Sequence, residues 1–257
     1  MESKSAWIVL AIILPLILFL SYGFLVAPQI FNEGGSLNSV YANYVESPSK
    51  EILGLDDAEV ERYVRTYIWD LYIILFAVLL IVFTDVTFNE FGFDFSEKKK
   101  DIIIGILFFA VDLILLGIVM YLTHSYMSDT LLNFHFETIP ITGFAAVAEL
   151  IPQVLNFKFI ILNFILYFFF VAPAEETFRI FILIKLEKVS GIFVAVLLSA
   201  FVFGFMHMFG SVFQSINAFV GGIAYNLLWL LRGRKILSPI IAHGFYDFAI
   251  TLIPFFV

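Results

Sequence analysis

The chain has 257 residues, of which 61% are hydrophobic and only 14% are charged, and its formal net charge is −8. Its mean hydropathy is +1.00, whereas a soluble domain carries about 25% charged residues. This composition excludes an ordinary soluble enzyme, a nucleic-acid-binding domain and a disordered tail. A hydrocarbon core about 30 Å thick needs about 20 apolar residues per helix. The sequence therefore predicts an all-α fold, that of a polytopic helical membrane protein.

The first apolar run, residues 7–27, is too long for the apolar core of a signal peptide and lacks a small-residue cleavage site. We predict that it is retained as the first membrane span. The segment that follows, 28–66, is the only sizeable polar piece of the chain, and acids outnumber bases in it. Cysteine is absent, which excludes a disulfide framework and a thiolate metal site.

Seven apolar runs are long enough to be predicted as spans: 7–27, 67–88, 102–122, 159–183, 191–209, 212–231 and 236–257. An eighth candidate, 139–155, is short, carries Glu149 and lies between Pro140 and Pro152. It is a span, a re-entrant piece or an interfacial helix. We divide the chain into an N-terminal membrane region, 1–158, with three spans, and a C-terminal four-helix core, 159–257.

Basic loop residues indicate the orientation, because cytoplasmic loops collect Lys and Arg. They form three clusters: Lys98–Lys100; Lys185 and Lys188; Arg232, Arg234 and Lys235. If 139–155 does not cross the membrane, all three clusters fall on the same side as Lys4. This favours seven spans and a cytoplasmic N-terminus. We expect a multi-pass protein of a prokaryotic plasma membrane, with membrane lipid as a partner and no nucleic acid.

Ionised side chains inside spans are informative, because each costs about 2.5–3.5 kcal/mol at a helix centre. The predicted fourth, fifth and seventh spans contain six ionisable residues: Glu175, Glu176, Arg179, His207, His243 and Asp247. Because unpaired charges are so costly in lipid, we expect these side chains to face one another or a wet cavity. They are the candidate site.

Helical spacing indicates which of these side chains meet. Arg179 is four residues after Glu175 and three after Glu176, so one guanidinium can serve both acids. The two acids point about 100° apart on a helix. We choose Glu175 as the reactive acid and Glu176 as the partner of Arg179. His243 and Asp247 share one helix face in the same way.

A carboxylate with two imidazoles in a water-poor pocket is suited to activating water. Glu175, His207 and His243 could also hold zinc with an open fourth position, although they lack the compact spacing of a zinc-binding helix. The residues themselves indicate hydrolysis and leave the metal open. Structural roles compete: a helix-locking Glu–Arg pair, a core histidine at 207, or an interhelical hydrogen bond at His243. Asp112 and Asp85 are interpreted as structural residues or as lining a hydrated cavity.

Three motifs resemble the CAAX protease and bacteriocin-processing (CPBP, or Abi) family. Residues 173–179, Pro-Ala-Glu-Glu-Thr-Phe-Arg, resemble its EExxxR motif, commonly preceded by proline. Residues 203–207 resemble its FxxxH motif and residues 243–247 its HxxxN/D motif. Their order and their distribution over separate helices also match. The resemblance covers roughly residues 159–257.

The resemblance implies an intramembrane endopeptidase, whose best-known relatives trim the last three residues of prenylated CAAX proteins. Glu175 would activate water with His207, while His243 and Asp247 would line the oxyanion site, supported by Glu176 and Arg179. The implied partner is a peptide or lipidated protein. Members are described both as metalloproteases and as glutamate-dependent enzymes without metal. Position 247 is Asp where the CAAX-cleaving branch has Asn, which slightly favours a metal, since an ionised Asp cannot donate to an oxyanion.

Other classes fit the sequence less well. There is no HExxH of a zinc protease, no GxGD of an aspartyl protease and no recognisable serine–histidine pair. A proton-coupled transporter using Glu175, His207 and His243 stays open, although no internal repeat is visible. A non-catalytic immunity or scaffold protein of the same fold also stays open.

The predicted span limits contain one inconsistency. Counted from the basic loops, Glu175 lies about ten residues deep and His207 sixteen to nineteen, which separates their levels by roughly 10 Å. Tilt, a late helix start or a broken helix would remove the difference; otherwise the predicted limits are wrong.

Overall fold

A computed structural model describes residues 68, 71–79, 82, 86–126, 157–209 and 212–252. Every regular element in these residues is a helix, which confirms the all-α prediction for the described part of the chain. The predicted first span, the acidic segment 28–66, Asp85 and the candidate segment 139–155 lie outside the described residues. Neither the retained first span nor the role of 139–155 is therefore tested.

Residues 71–79 are helical, and the other described helices follow one another along two further stretches of chain. The first stretch contains α1 (Phe88–Phe91) and α2 (Lys98–Tyr126). The second begins with α3 (Phe157–Leu166), which continues through a π-helical turn, Tyr167–Val171, into α4 (Ala172–Ser190). It goes on with α5 (Ile192–Met206), a 3₁₀ turn (His207–Phe209), α6 (Val212–Leu231) and α7 (Leu237–Leu252).

The π-helical turn ends two residues before Pro173, which occupies the first turn of α4. Proline has no N–H to donate, and its ring crowds the carbonyl one turn earlier. A wider turn accommodates both effects without ending the helix. Residues 157–190 therefore form one long helix with its register shifted just before the two glutamates.

The fourth predicted span ends at 183, and this limit is wrong because α4 continues to Ser190. Gly191 follows with φ of 79°, a conformation that favours glycine, and starts the turn into α5. Glu175 consequently lies 15 residues before the end of α4 (190 − 175), and His207 lies 16 residues beyond Gly191 (207 − 191). Both residues are thus about 22–24 Å along their helices from the turn between α4 and α5. The expected difference of 10 Å between the levels of Glu175 and His207 disappears.

Ring contacts give the relative directions of the long helices. Phe109 of α2 packs against Phe245 of α7, with ring centroids 5.8 Å apart. Phe168 also contacts Phe245, at 4.8 Å, and the earlier Phe164 contacts the later Phe248, at 5.7 Å. Helix 157–190 therefore runs antiparallel to α7, so that α4 and α7 can bring their glutamates and His243 to the same level.

The three basic clusters lie at one end of the bundle, as the seven-span arrangement requires. Arg234 binds Glu187 near the end of α4, at 2.6 Å, and Arg232 binds Asp101 at the start of α2, at 2.8 Å. The short helix α1 reaches the same end, since its turn at Gly92 accepts a hydrogen bond from Ile236 N–H, at 3.0 Å. A side chain at Gly92 would overlap the Arg234 carbonyl.

Two described helical stretches are long and apolar enough to cross a membrane, Lys98–Leu122 and Ile160–Ser190. A shorter apolar helix, Ile192–Met206, lies between α4 and α6. Large apolar side chains are exposed on α2 and α5, including Leu107 and Phe193. These observations bear out membrane-type helices; the count of seven spans is not confirmed.

Candidate active site

The first turn of α4 places Glu175 and Glu176 inside the bundle. Nearly every residue from Ala172 to Leu186 is buried, because α4 is surrounded by other helices on all sides. Glu176 is fully buried and Glu175 is 6% exposed. Both acids are therefore held away from lipid, as their cost there requires.

Glu175 meets both histidines. Its Oε2 atom is 3.4 Å from His243 Nε2 and 3.9 Å from His207 Nε2. The three side chains come from α4, from the end of α5 and from α7. The structure thus brings together the acid and the two imidazoles that the sequence analysis selected from separate helices.

His207 lies where α5 gives way to the 3₁₀ turn. Its Nδ1 atom is 2.8 Å from the Phe203 carbonyl, which can only accept. Nδ1 therefore carries a proton, and in a neutral ring the lone pair is on Nε2, the atom that faces Glu175. A separation of 3.9 Å is too long for a direct hydrogen bond. A gap therefore remains between His207 Nε2 and Glu175 Oε2.

His243 is held from several sides. Its Nδ1 atom contacts Glu176 Oε1 at 3.0 Å, and its Nε2 atom is 3.3 Å from Asp247 Oδ2 on the next turn of α7. The ring of Tyr225, from α6, stacks on the imidazole with centroids 5.0 Å apart and planes 21° apart. These contacts leave the ring a single orientation, with Nε2 towards Glu175.

Arg179 contacts Glu176, as the three-residue spacing predicts, and it also donates to Asn226 Oδ1 on α6. Asn226 donates in turn to the Ser199 hydroxyl, at 2.7 Å, and to the Val196 carbonyl, at 3.1 Å. The buried guanidinium is therefore matched by one carboxylate and one amide oxygen, which offsets its desolvation.

A small recess of about 10 Å³ lies beside the two residues that form the gap. Glu175 and His207 share its wall with four apolar side chains: Ile73, Phe178, Phe203 and Met206. An apolar wall with one carboxylate and one imidazole resembles a substrate pocket in composition. The volume of the recess is about what one water molecule needs.

The zinc set, Glu175, His207 and His243, is not supported by the geometry. Within the described residues, no group of three or more His, Asp or Glu side chains is arranged as metal ligands. His243 also has a carboxylate oxygen near each ring nitrogen, which suits a hydrogen-bond donor. Zinc stays a prediction from the sequence, and no catalytic step is assigned to it.

Three residues of the site were missed or undervalued in the sequence analysis. Asn226 accepts from Arg179 and Tyr225 stacks on His243, but neither residue belongs to a motif. Asp112, from α2, is 4% exposed, and its polar surroundings are Tyr225 and the site carboxylates. Its position in the middle of an apolar span was the available signal, since such a charge is costly.

Residues 157–249 match the family model described as type II CAAX prenyl endopeptidase Rce1-like. The match begins at α3 and ends within α7, and so covers the helices that carry both glutamates and both histidines. It confirms the resemblance read from the three motifs. No curated protein and no solved structure matches the chain.

Proposed function

We propose, from the match of residues 157–249 to the Rce1-like CAAX prenyl endopeptidase family model, that this chain is an intramembrane endopeptidase. That family is one of proteases, and the proposal assigns the same reaction class to this chain. The hydrolytic water is activated by Glu175 and His207. The observation that carries the proposal is the convergence of the two imidazoles on Glu175 Oε2, at 3.4 and 3.9 Å.

The gap between Glu175 and His207 suits a water molecule. Both facing atoms, the carboxylate oxygen and Nε2, are acceptors when His207 donates through Nδ1. A water that donates one proton to each has its lone pairs directed away from both groups. In the recess those lone pairs would face the carbonyl carbon of a bound peptide.

The reaction then needs only these side chains and water. Glu175 takes a proton as the water oxygen bonds to the carbonyl carbon, and a tetrahedral oxyanion forms. The same proton passes from Glu175 to the leaving nitrogen as the C–N bond breaks. The products are a carboxylic acid and an amine, and Glu175 is ionised again as soon as its proton has passed to the nitrogen.

His243 is the proposed ligand of the oxyanion. When both ring nitrogens are protonated, Nδ1–H donates to Glu176 and Nε2–H is directed towards Glu175 and Asp247. A cationic donor in a water-poor site is a strong oxyanion ligand. Asp247 at 3.3 Å supports a role in orienting His243, which an ionised aspartate can fill although it cannot itself donate.

The proposed substrate is a membrane-associated peptide, foremost the prenylated C-terminus of a CAAX-type protein. Support comes from the family match, from the apolar lining of the recess and from the apolar helices around it. The protein would accordingly be a multi-pass membrane protein with a cytoplasmic N-terminus. The transporter and scaffold alternatives receive no such support from the family match.

The test is cleavage of a fluorogenic prenylated CAAX peptide by the purified protein in liposomes. Glu175→Gln keeps the size of the side chain but removes the base, and His207→Ala removes the second acceptor. We expect each to lower kcat by about 10²–10⁴-fold, the range of general acid–base catalysis. Wild-type cleavage that survives in both variants would contradict the assignment.

Two controls separate the alternatives. Treatment with a zinc chelator leaves cleavage unchanged under the proposed mechanism, whereas loss that added zinc restores would favour the metal set. A wild type that cleaves neither prenylated nor unprenylated peptides would favour a non-catalytic role. Thermal unfolding of each variant shows whether it is folded.

A further inference from the structure

Asn226 connects three helices inside the bundle. It lies on α6, it accepts from Arg179 on α4, and it donates to Ser199 and Val196 on α5. Its side chain is fully buried. The acceptor and both donor hydrogens of the amide are used, so its orientation is determined by its neighbours.

Only a side chain that both donates and accepts satisfies these neighbours. Arg179 can only donate, and the Val196 carbonyl can only accept. An aspartate at 226 would keep the contact with Arg179 but would place a carboxylate against the Val196 carbonyl. It would also add a second negative charge beside Arg179, in competition with Glu176.

One connection of Asn226 leads to His243. Arg179 is shared between Asn226 and Glu176, and Glu176 accepts from His243 Nδ1 at 3.0 Å. The position of the guanidinium therefore determines where the Glu176 carboxylate lies. The carboxylate in turn determines the direction of the His243 ring.

The other connection leads to His207. Ser199 and Val196 lie two to three turns before His207 on α5, which is a continuous helix over this interval. The contacts of Asn226 therefore hold α5 at a given height beside α4. That height sets the separation of 3.9 Å between His207 Nε2 and Glu175 Oε2.

We infer that Asn226 is a positioning residue of the catalytic site, which sets the places of both histidines relative to Glu175. The inference rests on the proposed function and deepens it. Asn226 does not touch the recess and takes no part in proton transfer. It acts through Arg179 and Glu176 on one side and through α5 on the other.

The test compares the same substitution at two asparagines of α6. Asn226→Asp removes the donors towards α5, whereas Asn217→Asp is the control, since Asn217 contacts the Tyr246 hydroxyl at 2.5 Å instead. We expect Asn226→Asp to lower kcat by about 100-fold, as for a displacement of about 1 Å at a reacting group. KM stays within about threefold, and Asn217→Asp changes neither constant by more than about threefold.

A second readout does not require activity. Solid-state NMR of ¹⁵N-histidine-labelled protein in liposomes reports the ring nitrogens of the four histidines. We expect Asn226→Asp to shift the His243 signals and Asn217→Asp to leave them in place. A purely structural role would lower the thermal midpoint of Asn226→Asp while the folded fraction kept the wild-type kcat and His243 signals, and this result would overturn the inference.

The two readouts also separate this inference from the proposed function. An inactive wild type with shifted His243 signals in Asn226→Asp would refute the peptidase and leave the positioning network in place. An active wild type with unchanged kcat and signals in Asn226→Asp would refute the positioning role alone.

Discussion

Two polar clusters of this bundle contrast with each other. The site cluster lies deep among the helices and consists of Glu175, Glu176, Arg179, Asn226 and His243. The end cluster lies where the basic loops meet and consists of Asp94, Glu97, Asp101, Arg232 and Lys235. The ionisable side chains of the site cluster are at most 7% exposed, whereas Glu97 and Asp94 are about half exposed.

The two clusters also differ in whether a charged side chain has a second partner available. Lys235 has both Asp94 and Glu97 within 4 Å, and Arg232 has both Glu97 and Asp101. At the end of the bundle a second partner can replace a lost contact, and water reaches Glu97 and Asp94, although Asp101 is buried. In the interior the dielectric is low and water is scarce, so that the loss of one partner leaves a charge uncompensated. Similar residue types should therefore have very different energetic weights in the two clusters.

The largest effect on stability is expected at Arg179. Arg179→Met leaves Glu176 buried with His243 as its remaining partner, and we expect a loss of about 3–5 kcal/mol in the free energy of unfolding. The double variant Arg179→Met/Glu176→Gln removes the uncompensated charge and should recover part of that loss. Denaturation in detergent micelles measures both. A single-variant loss below about 1 kcal/mol would remove the distinction between the two clusters.

A smaller effect is expected at Arg232, the most buried base of the end cluster. Arg232→Gln leaves the fully buried Asp101 with the Ser238 hydroxyl, at 3.1 Å, as its remaining side-chain partner. We expect a loss of about 1.5–3 kcal/mol, the range for hydrogen bonds to charged groups. Arg232→Lys keeps the positive charge and should lose less stability than Arg232→Gln. The same unfolding assay measures both variants. Equal losses of unfolding free energy in the two variants would contradict a stabilising role of the positive charge at position 232.

The Arg234–Glu187 pair should have a still smaller effect. Its contacts of 2.6 and 2.9 Å are short, but about half of the Arg234 side chain is exposed. Arg234→Gln should cost less than about 1 kcal/mol. Because salt screens exposed charges, the difference from wild type should shrink between 0.05 and 1 M NaCl. A loss independent of salt would point to packing of Arg234 on Trp229, 5.2 Å away.

The smallest effect is a dependence on pH. Ser96 donates to Asp94 from its backbone N–H and its hydroxyl, and together with Lys235 it lowers the pKa of Asp94 from 3.8 to about 2. Since the folded-state pKa is the lower one, the stabilisation is complete above about pH 4 and is lost as the pH falls towards 2. Asp94→Asn should flatten this part of the curve of thermal midpoint against pH. An identical curve for wild type and variant would contradict the pKa shift.

Much of the site was predictable because the signals are local. Charge inside an apolar run is costly wherever the helix packs, so Glu175, Arg179 and His243 stood out before any contact was known. The spacing of three residues predicted the contact of Arg179 with Glu176, since neighbours on a helix surface need no tertiary information. The family resemblance of roughly residues 159–257 rested on the same local motifs and was confirmed by the family match over residues 157–249.

Other features depend on the packing of distant helices. Asn226 and Tyr225 are ordinary residues of an apolar helix until α6 is placed beside α4 and α7. The length of α4 beyond residue 183 was underestimated because Lys185 and Lys188 were assigned to a loop. In the bundle Lys185 is fully buried and Glu187 binds Arg234. Lys185 therefore does not mark the end of this helix, whereas Lys188 lies in its last turn.

The sequence by itself determined the class of helical membrane protein and the set of residues that carry the proposed chemistry. Both follow from short-range physics, the cost of burying charge and the periodicity of a helix. The tertiary structure decided which atoms face one another: Glu175 with both histidines, Glu176 with Arg179 and His243, and Asp247 beside His243. These contacts depend on the levels and rotations of separate helices, and those are set by side-chain packing across the bundle.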